Sequence, residues 1–120
     1  MTYWSPGAPR DVVERSLANS LVAGLYAPDG THVGMARAVT DRATFAWIAD
    51  VFVVPGHRGG GHGTFVVSAL LGHPDLQDLR RVMLATADAH GLYRPFGFDE
   101  LANADRYLAV QQSPAQLYGS

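Results

Sequence analysis

The stretch VFVVPGHRGGGHG, residues 51–63, carries the strongest fold signal in the sequence. Its apolar residues run into Pro55, and three consecutive glycines follow beside Arg58. Glycine loses more backbone entropy on folding than any other residue, so three in a row indicate either a tight turn or a backbone that something approaches closely. The next residues, GTFVVSALLG at 63–72, predict a helix. The stretch therefore predicts a strand buried on both faces, a glycine loop and a helix.

A glycine loop that opens a helix is suited to holding an anion. The first helical turn has unpaired N–H groups, the helix dipole favours negative charge, and Arg58 adds a full positive charge. The alternative is a plain turn with Arg58 in solvent, and spacing alone leaves both open. A nucleotide P-loop is excluded because the chain has no lysine, and the loop follows the third predicted strand, unlike a Rossmann loop.

Periodicity and turn residues predict the other elements. They indicate one α/β (α+β) domain over 1–120 whose sheet is mixed and mainly antiparallel, with helices flanking it and a parallel crossover through the helix at 63–72. Gly97 is the predicted left-handed cap of the last helix, and 110–120 is expected to be a loose tail. The predicted elements are a helix at 9–20, strands at 21–27, 31–41 and 43–54, a strand at 82–86, a helix at 88–98 and a strand at 105–110.

Composition excludes several classes of function. The chain has no Cys, which excludes disulfides and thiolate chemistry. A net charge of −2 without a basic cluster argues against a nucleic-acid partner. No apolar run approaches the ~18 residues of a membrane span, and no secretory signal is expected because MTYWSPGAPRD lacks a charged region followed by an apolar one. The protein is expected to be cytoplasmic. No metal site is expected, since the five histidines form no pair four residues apart.

Two motifs in order resemble those of the GNAT acetyltransferase superfamily. RGGGHG at 58–63 is similar to its acyl-CoA motif, which has Gln or Arg, then Gly three residues later, then Gly or Ala two residues after that. LATADAHGLYRPFGF at 84–98 resembles the second signature, a strand followed by a helix with a tyrosine and then Phe-Gly-Phe. The motifs and the strands around them cover roughly residues 31–100.

The resemblance implies acetyl-CoA as cosubstrate. Strands 43–54 and 82–86 would splay into a V, and the pantetheine arm would pair with the main chain at Phe52 and Val53. Thr86 occupies a position where the family often has Asn, so the side-chain contact with the cofactor differs there. The residues expected to surround the pyrophosphate are Arg58, Gly59, Gly60, Gly61, His62, Gly63 and Thr64.

The resemblance also implies that Tyr93 is the acid that protonates the departing CoA thiolate; the alternative is a core aromatic. An attacking amine must first lose a proton. Asp50 is the candidate base because a carboxylate inside an apolar run must be paired, hydrogen-bonded or functional. The alternatives are an ion pair with an arginine such as Arg37 and a position at the rim of the sheet. Weaker candidates for the base are Asp41, Asp88 and His90.

The acceptor amine, of a small molecule or a protein, is not identified by the sequence. Tyr3, Trp4 and Trp47 are candidates to line its pocket. The family's usual first strand and part of its first helix have no counterpart before Leu21, which leaves a sheet edge open and predicts a homodimer. The leading hypothesis is an N-acetyltransferase; the others are a CoA-binding module without catalysis and a domain whose glycine loop is purely structural.

Overall fold

The described residues, 8–87 and 89–119 of a computed structural model, form one four-stranded sheet with helices around it. Short 3-10 turns lie at Pro55–His57, Pro74–Leu76, Arg94–Phe96 and Ala104–Arg106. The helices and strands are α1 Arg10–Ala18, β1 Leu21–Tyr26, β2 His32–Thr40, β3 Phe45–Val53, α2 His62–Leu71, β4 Arg81–Met83, α3 His90–Tyr93 and α4 Pro114–Tyr118.

The sheet has the strand order β1-β2-β3-β4, and its first three strands are antiparallel. β4 lies parallel to β3, so the connection through α2 is the predicted crossover. The mixed, mainly antiparallel α/β architecture predicted from the sequence is confirmed. The core lies between α2 and one sheet face, where small residues such as Ala36 and Ala38 let Val66 and Leu70 approach closely.

β3 alternates between buried and exposed residues in its first half, so the prediction that it is buried on both faces was wrong. Ala46 and Ile48 lie in the core, whereas Phe45 and Trp47 are each 37% exposed. The reason is that α2 covers only one face of the sheet at this point. Alternation of this kind is usual where one face of a sheet is packed and the other is not.

β3 and β4 separate soon after they meet. Their pairs are confined to Phe45–Trp47 with Arg81–Met83, and the strand predicted to reach residue 86 ends three residues earlier. The predicted V-shaped splay is therefore present, and it begins after Trp47. The two strands are paired at one end and form the walls of a gap at the other.

The chain after β4 is less regular than predicted. The helix expected at 88–98 is an α-helix only over His90–Tyr93 and continues as a 3-10 turn, because Pro95 has no amide to donate. Gly97 has φ of 95°, so the predicted left-handed cap is confirmed. The strand predicted at 105–110 was wrong: a 3-10 turn covers Ala104–Arg106, and no strand among the described residues pairs with residues 107–110. The tail at 110–120 contains α4, which Ser113 and Gln116 start with a capping box.

Candidate active site

The gap between β3 and the chain after β4 is a cleft of about 620 Å³. One wall is the second half of β3, from Ile48 to Val53, and the other is Leu84 to Thr86. Gly63 of α2 and Leu92 and Tyr93 of α3 also line it. The splay thus brings together residues that both sequence motifs supply.

The glycine loop has a backbone that other residues adopt only with strain. Gly59, Gly60 and Gly61 have φ of 86°, 62° and 80°, all in the left-handed region. A Cβ added at Gly59 or Gly61 would have no atom within 4 Å, and one at Gly60 would meet only the His62 ring at 4.0 Å. The space where these Cβ atoms would lie is therefore open, and the glycines are needed for the left-handed conformation of the backbone.

Helix α2 begins directly at this loop, with Gly61 as its N-cap. Within the described part of the chain, no hydrogen bond takes the amides of Gly60, Gly61, Gly63 or Thr64. The His62 Nδ1 lies 2.6 Å from the carbonyl of His57, which ties the loop back to the preceding turn. The predicted anion-binding residues are thus adjacent, with N–H groups available at the start of a ten-residue helix.

Arg58 is exposed, and its side chain bends back onto β3. Its Nε donates to the carbonyl of Val53 at 2.9 Å, which leaves the two terminal nitrogens of the guanidinium without a hydrogen bond to the described residues. The amide of Val54 donates to Val33 of β2, so the polar groups of Val53 face the opposite side, toward the cleft. Phe52 lines the cleft, but its carbonyl oxygen lies only 2.8 Å from where a Cβ on Gly34 of β2 would be.

Tyr93, the last residue of α3, lines the cleft. It is 8% exposed, and its ring packs edge-on against Phe98 with the ring centroids 5.9 Å apart. No hydrogen bond from the described residues reaches its hydroxyl. Burial raises the pKa of Tyr93 above its ordinary value, so the phenol holds its proton at neutral pH.

Asp50 sits in a β-bulge on the other wall. Met35 is opposite Phe52 and Arg37 is opposite Ala49, so two residues of β3 face one of β2. Asp50 has φ of 54°, a left-handed conformation that is uncommon for a residue with a side chain. Its Oδ2 lies 2.7 Å from Arg37 Nε, the ion pair that the sequence left open as the alternative to a base. Asp50 nevertheless lines the cleft.

Ser20 was not predicted to contribute to the site. Its hydroxyl accepts from Arg37 NH1 at 3.0 Å and donates to the carbonyl of Ser16 at 2.7 Å. A chain of hydrogen bonds therefore links α1 to the bulge that holds Asp50. The bulge was not predicted from the sequence, because Ala-Asp-Val is compatible with a regular strand. The only available signal was one Arg and one Asp on neighbouring strands, which could form an ion pair.

The remaining predicted residues are less closely associated with the cleft. Thr86 lines it, and its hydroxyl accepts from the amide of Ala89 at 3.1 Å, which helps to start α3. His90 Nε2 lies 3.2 Å from the carbonyl of Thr86 and faces a second cavity of about 260 Å³. Asp41 does not border the cleft: it lies in the β2–β3 loop, where its carboxylate binds amides including that of Thr44. Three candidates lie outside the described residues: Tyr3, Trp4 and Asp88.

Residues 8–87 and 89–119 contain no group of three or more His, Asp and Glu side chains arranged to hold a metal ion. The same residues contain no helix with the length and apolar content needed to cross a membrane.

Comparison with known proteins points to one family. Residues 3–98 match the Acetyltransferase (GNAT) family. The chain is 43% identical to a Xanthomonas campestris protein assigned to the GNAT family, whose crystal structure superposes with a TM-score of 0.87 over 99% of this chain and 82% of that one. The Gibberella zeae protein FG08082, assigned as an acetyltransferase, is 34% identical over 78% of this chain. The histone acetyltransferase TAP1 of Glycine max is 32% identical over 78% of this chain. The chain spans 63% and 46% of the lengths of those two relatives. It belongs to the GNAT family of acetyltransferases.

Proposed function

We propose that the protein is an N-acetyltransferase that moves the acetyl group of acetyl-CoA to a primary amine of a small molecule or a protein. The observation that carries this proposal is the parting of β3 from β4 in front of a glycine loop at the start of α2. An extended pantetheine arm needs main-chain partners that a closed sheet lacks, and a pyrophosphate needs unpaired amides. Both lie on the same cleft.

The residues present fit the cosubstrate. The amides from Gly59 to Thr64 and the terminal nitrogens of Arg58 would hold the pyrophosphate, with His62 fixing the loop. Phe52 and Val53 line the cleft and would flank the pantetheine arm, with the main chain of Val53 facing away from β2. Thr86 would border that arm from the opposite wall.

Acetyl-CoA supplies a thioester, and the reaction is its aminolysis. The amine nitrogen forms a bond to the carbonyl carbon, and the carbon–sulfur bond breaks. The Tyr93 phenol, protonated at neutral pH because burial raises its pKa, donates a proton to the departing sulfur. The nitrogen gives up its extra proton, so that a neutral amide and a thiol leave.

The proton on the amine goes to Asp50 in this proposal, directly or through water. Arg37 engages Oδ2, and Oδ1 is the oxygen that would accept the proton. The strained backbone of Asp50 supports a functional role, since conformations of this kind cluster at active sites. The carboxyl side chain is 22% exposed, so solvent can carry the proton away.

A second function is favoured by the same ion pair. If the Arg37–Asp50 contact serves only to hold the bulge, the cleft would bind CoA without a base, and the protein would be a sensor or assembly module. The homodimer expected from the sequence, formed at the free edge of β1, suits either function. A cytoplasmic location, where acetyl-CoA and free amines meet, belongs to the same proposal.

The experiment that separates the two functions is a thiol-release assay with acetyl-CoA and a panel of primary amines. The panel contains small amines and peptides with a free N-terminus or lysine, since the Glycine max relative is named a histone acetyltransferase. We expect thiol release that depends on at least one amine. Binding of acetyl-CoA without any amine-dependent release would support the binding module instead.

A further inference from the structure

The Asp50 carboxylate is held in one direction by a single hydrogen bond. Its Oδ2 accepts from Arg37 Nε at 2.7 Å, and no hydrogen bond from the described residues reaches Oδ1. The side chain is 22% exposed and stands on a bulge, so packing alone does not fix its rotamer. The direction in which Oδ1 points is therefore set by how firmly Arg37 is held.

Arg37 is held by bonds that its guanidinium makes in two directions. Nε donates to Asp50, and NH1 donates to the Ser20 hydroxyl at 3.0 Å. Because the guanidinium is planar, two partners on different nitrogens fix its plane more firmly than one. The Arg37 side chain is 15% exposed, so little solvent competes for these bonds. Loss of the Ser20 contact should therefore let both Arg37 and Asp50 reorient.

Ser20 is itself firmly placed. It lies between α1 and β1, and the next residue, Leu21, is only 8% exposed in the core. Its hydroxyl donates to the carbonyl of Ser16 at 2.7 Å, so the hydroxyl proton is already used and a lone pair accepts from Arg37. Of the described residues, those that line the cleft do not include Ser20, so any effect on the reaction passes through Arg37.

We propose that Ser20 is a positioning residue for acetyl transfer: through Arg37 it orients Asp50 so that Oδ1 points to the incoming amine. This role rests on the proposed function, in which Asp50 takes a proton from the amine. A base must lie within hydrogen-bond reach of the proton it accepts, and small displacements lower rates strongly. The alternative role of Ser20 is only to join α1 to the sheet, since α1 has no buried residue of its own.

The first test compares serine variants in the thiol-release assay. Ser20→Ala should lower kcat by about fivefold, the contribution of one hydrogen bond, and leave the amine KM and the Kd of acetyl-CoA unchanged. Ser20→Thr keeps the hydroxyl and should retain the wild-type kcat. Ser16→Ala is the matched control: it removes a hydroxyl that donates to the carbonyl of Val13 at 2.8 Å but keeps the carbonyl that Ser20 uses. It should leave kcat unchanged.

The second test is a double-mutant cycle with Asp50→Asn. If Ser20 acts through Asp50, Ser20→Ala should lower kcat in the wild-type background but not in the Asp50→Asn background, because that variant has no base to orient. A serine that only joins α1 to the sheet would change kcat by the same factor in both backgrounds. Thermal melts of all four proteins separate a loss of stability from a loss of orientation.

The third test does not depend on activity. The Arg37 Nε–H signal in ¹H–¹⁵N NMR spectra, assigned with Arg37→Lys, should exchange slowly with solvent in wild type and in Ser16→Ala. Ser20→Ala should make this exchange at least about tenfold faster, because the bond to Asp50 opens more often.

Three results would overturn the positioning role of Ser20. They are a wild-type kcat in Ser20→Ala, an equal loss of kcat in both backgrounds of the cycle, and an Arg37 Nε–H exchange rate that Ser20→Ala does not change. A wild-type protein that releases no thiol with any amine would instead overturn the proposed function. The Arg37 signal would then still show whether Ser20 orients the Arg37–Asp50 pair.

Discussion

The two ends of the β3–β4 pair differ in whether the backbone N–H and C=O groups of the two strands are hydrogen-bonded to each other. At the closed end, Phe45–Trp47 and Arg81–Met83 pair with each other, and Ala46 is fully buried under α2. At the open end, from Ile48 to Val53, the neighbouring strand has moved away. Buried backbone groups must find partners, so an open end is stable only if solvent or a ligand takes the place of the missing strand.

The open end also contains the residues with unusual backbone conformations and a polar side chain without a hydrogen bond from the described residues. Asp50 adopts a left-handed conformation inside a strand, three glycines with positive φ follow, and the Tyr93 hydroxyl lies in the cleft region without a partner among the described residues. The closed end is regular strand, and its residues are apolar apart from Arg81. The difference indicates that the closed end stabilises the fold, whereas the open end has a strained backbone that serves binding. Substitutions at the closed end should therefore lower stability, and those at the open end should lower binding or activity.

The largest effect is expected at the closed end. Leu70 of α2 is 2% exposed and packs against this part of the sheet, so Leu70→Ala should lower the free energy of unfolding by about 3 kcal/mol. Acetyl-CoA affinity of the folded fraction should be unchanged. Chemical denaturation and calorimetric titration measure the two quantities. Phe65→Ala, on the same helix but 62% exposed, is the matched control and should cost far less.

Tyr93→Phe should act in the opposite way. The lost hydroxyl has no hydrogen bond from the described residues, so stability should hardly change, whereas kcat should fall by about 10². The Kd of acetyl-CoA should stay within error of wild type. Steady-state kinetics and thermal melts are the measurements. An unchanged kcat would return Tyr93 to the role of a core aromatic.

Asp50→Asn should give a smaller, pH-dependent loss. Asn tolerates the left-handed conformation and can still accept from Arg37, so the bulge should persist. If Asp50 is the base, kcat/KM should fall by about tenfold at neutral pH, and the deficit should shrink as pH rises toward the amine pKa of about 10. A profile that matches wild type at every pH would favour the bulge-holding role.

The smallest effect is expected from substitution of Asp41, which lies in a loop at the closed end. Hydrogen bonds from Thr44 and from the amides of Ala43 and Phe45 hold the pKa of Asp41 well below its usual value. A lowered pKa adds stability that is present above the unfolded-state value of about 3.9 and is lost as pH falls toward the folded-state value. Thermal melts of wild type should therefore drop below about pH 4 more steeply than those of Asp41→Asn. Equal slopes would show that the Asp41 hydrogen bonds contribute no pH-dependent stability.

The sequence predicted the parts of the site that depend on the local conformation of consecutive residues. The glycines of residues 59–61 indicated a tight turn or a closely approached backbone, and the apolar runs on either side indicated a strand and a helix. Gly97 was identified for the same reason, since local conformation is read from residue type. The splay between β3 and β4 came from the family resemblance rather than from residue patterns.

Features that depend on contacts far apart in the chain were not predictable. The bulge at Asp50 arises from the register of β3 on β2, which leaves no local signal. The strand wrongly predicted at 105–110 shows the converse, in which the local sequence favours a strand that does not form. Its residues have strand character, but a strand exists only with a partner, and within the described chain none is available.

The decisive experiment on the glycine loop is calorimetric titration of acetyl-CoA into wild type, Gly61→Glu and Gly30→Glu. Both glycines have positive φ, 80° and 89°, and open space where a Cβ would be, so the two substitutions impose a similar backbone strain. Only Gly61 lies at the start of α2. We expect wild type and Gly30→Glu to bind acetyl-CoA and Gly61→Glu not to bind it, because its carboxylate would occupy and repel the pyrophosphate site. Equal binding by all three proteins, or none by wild type, would contradict a cosubstrate site at the open end of the β3–β4 pair.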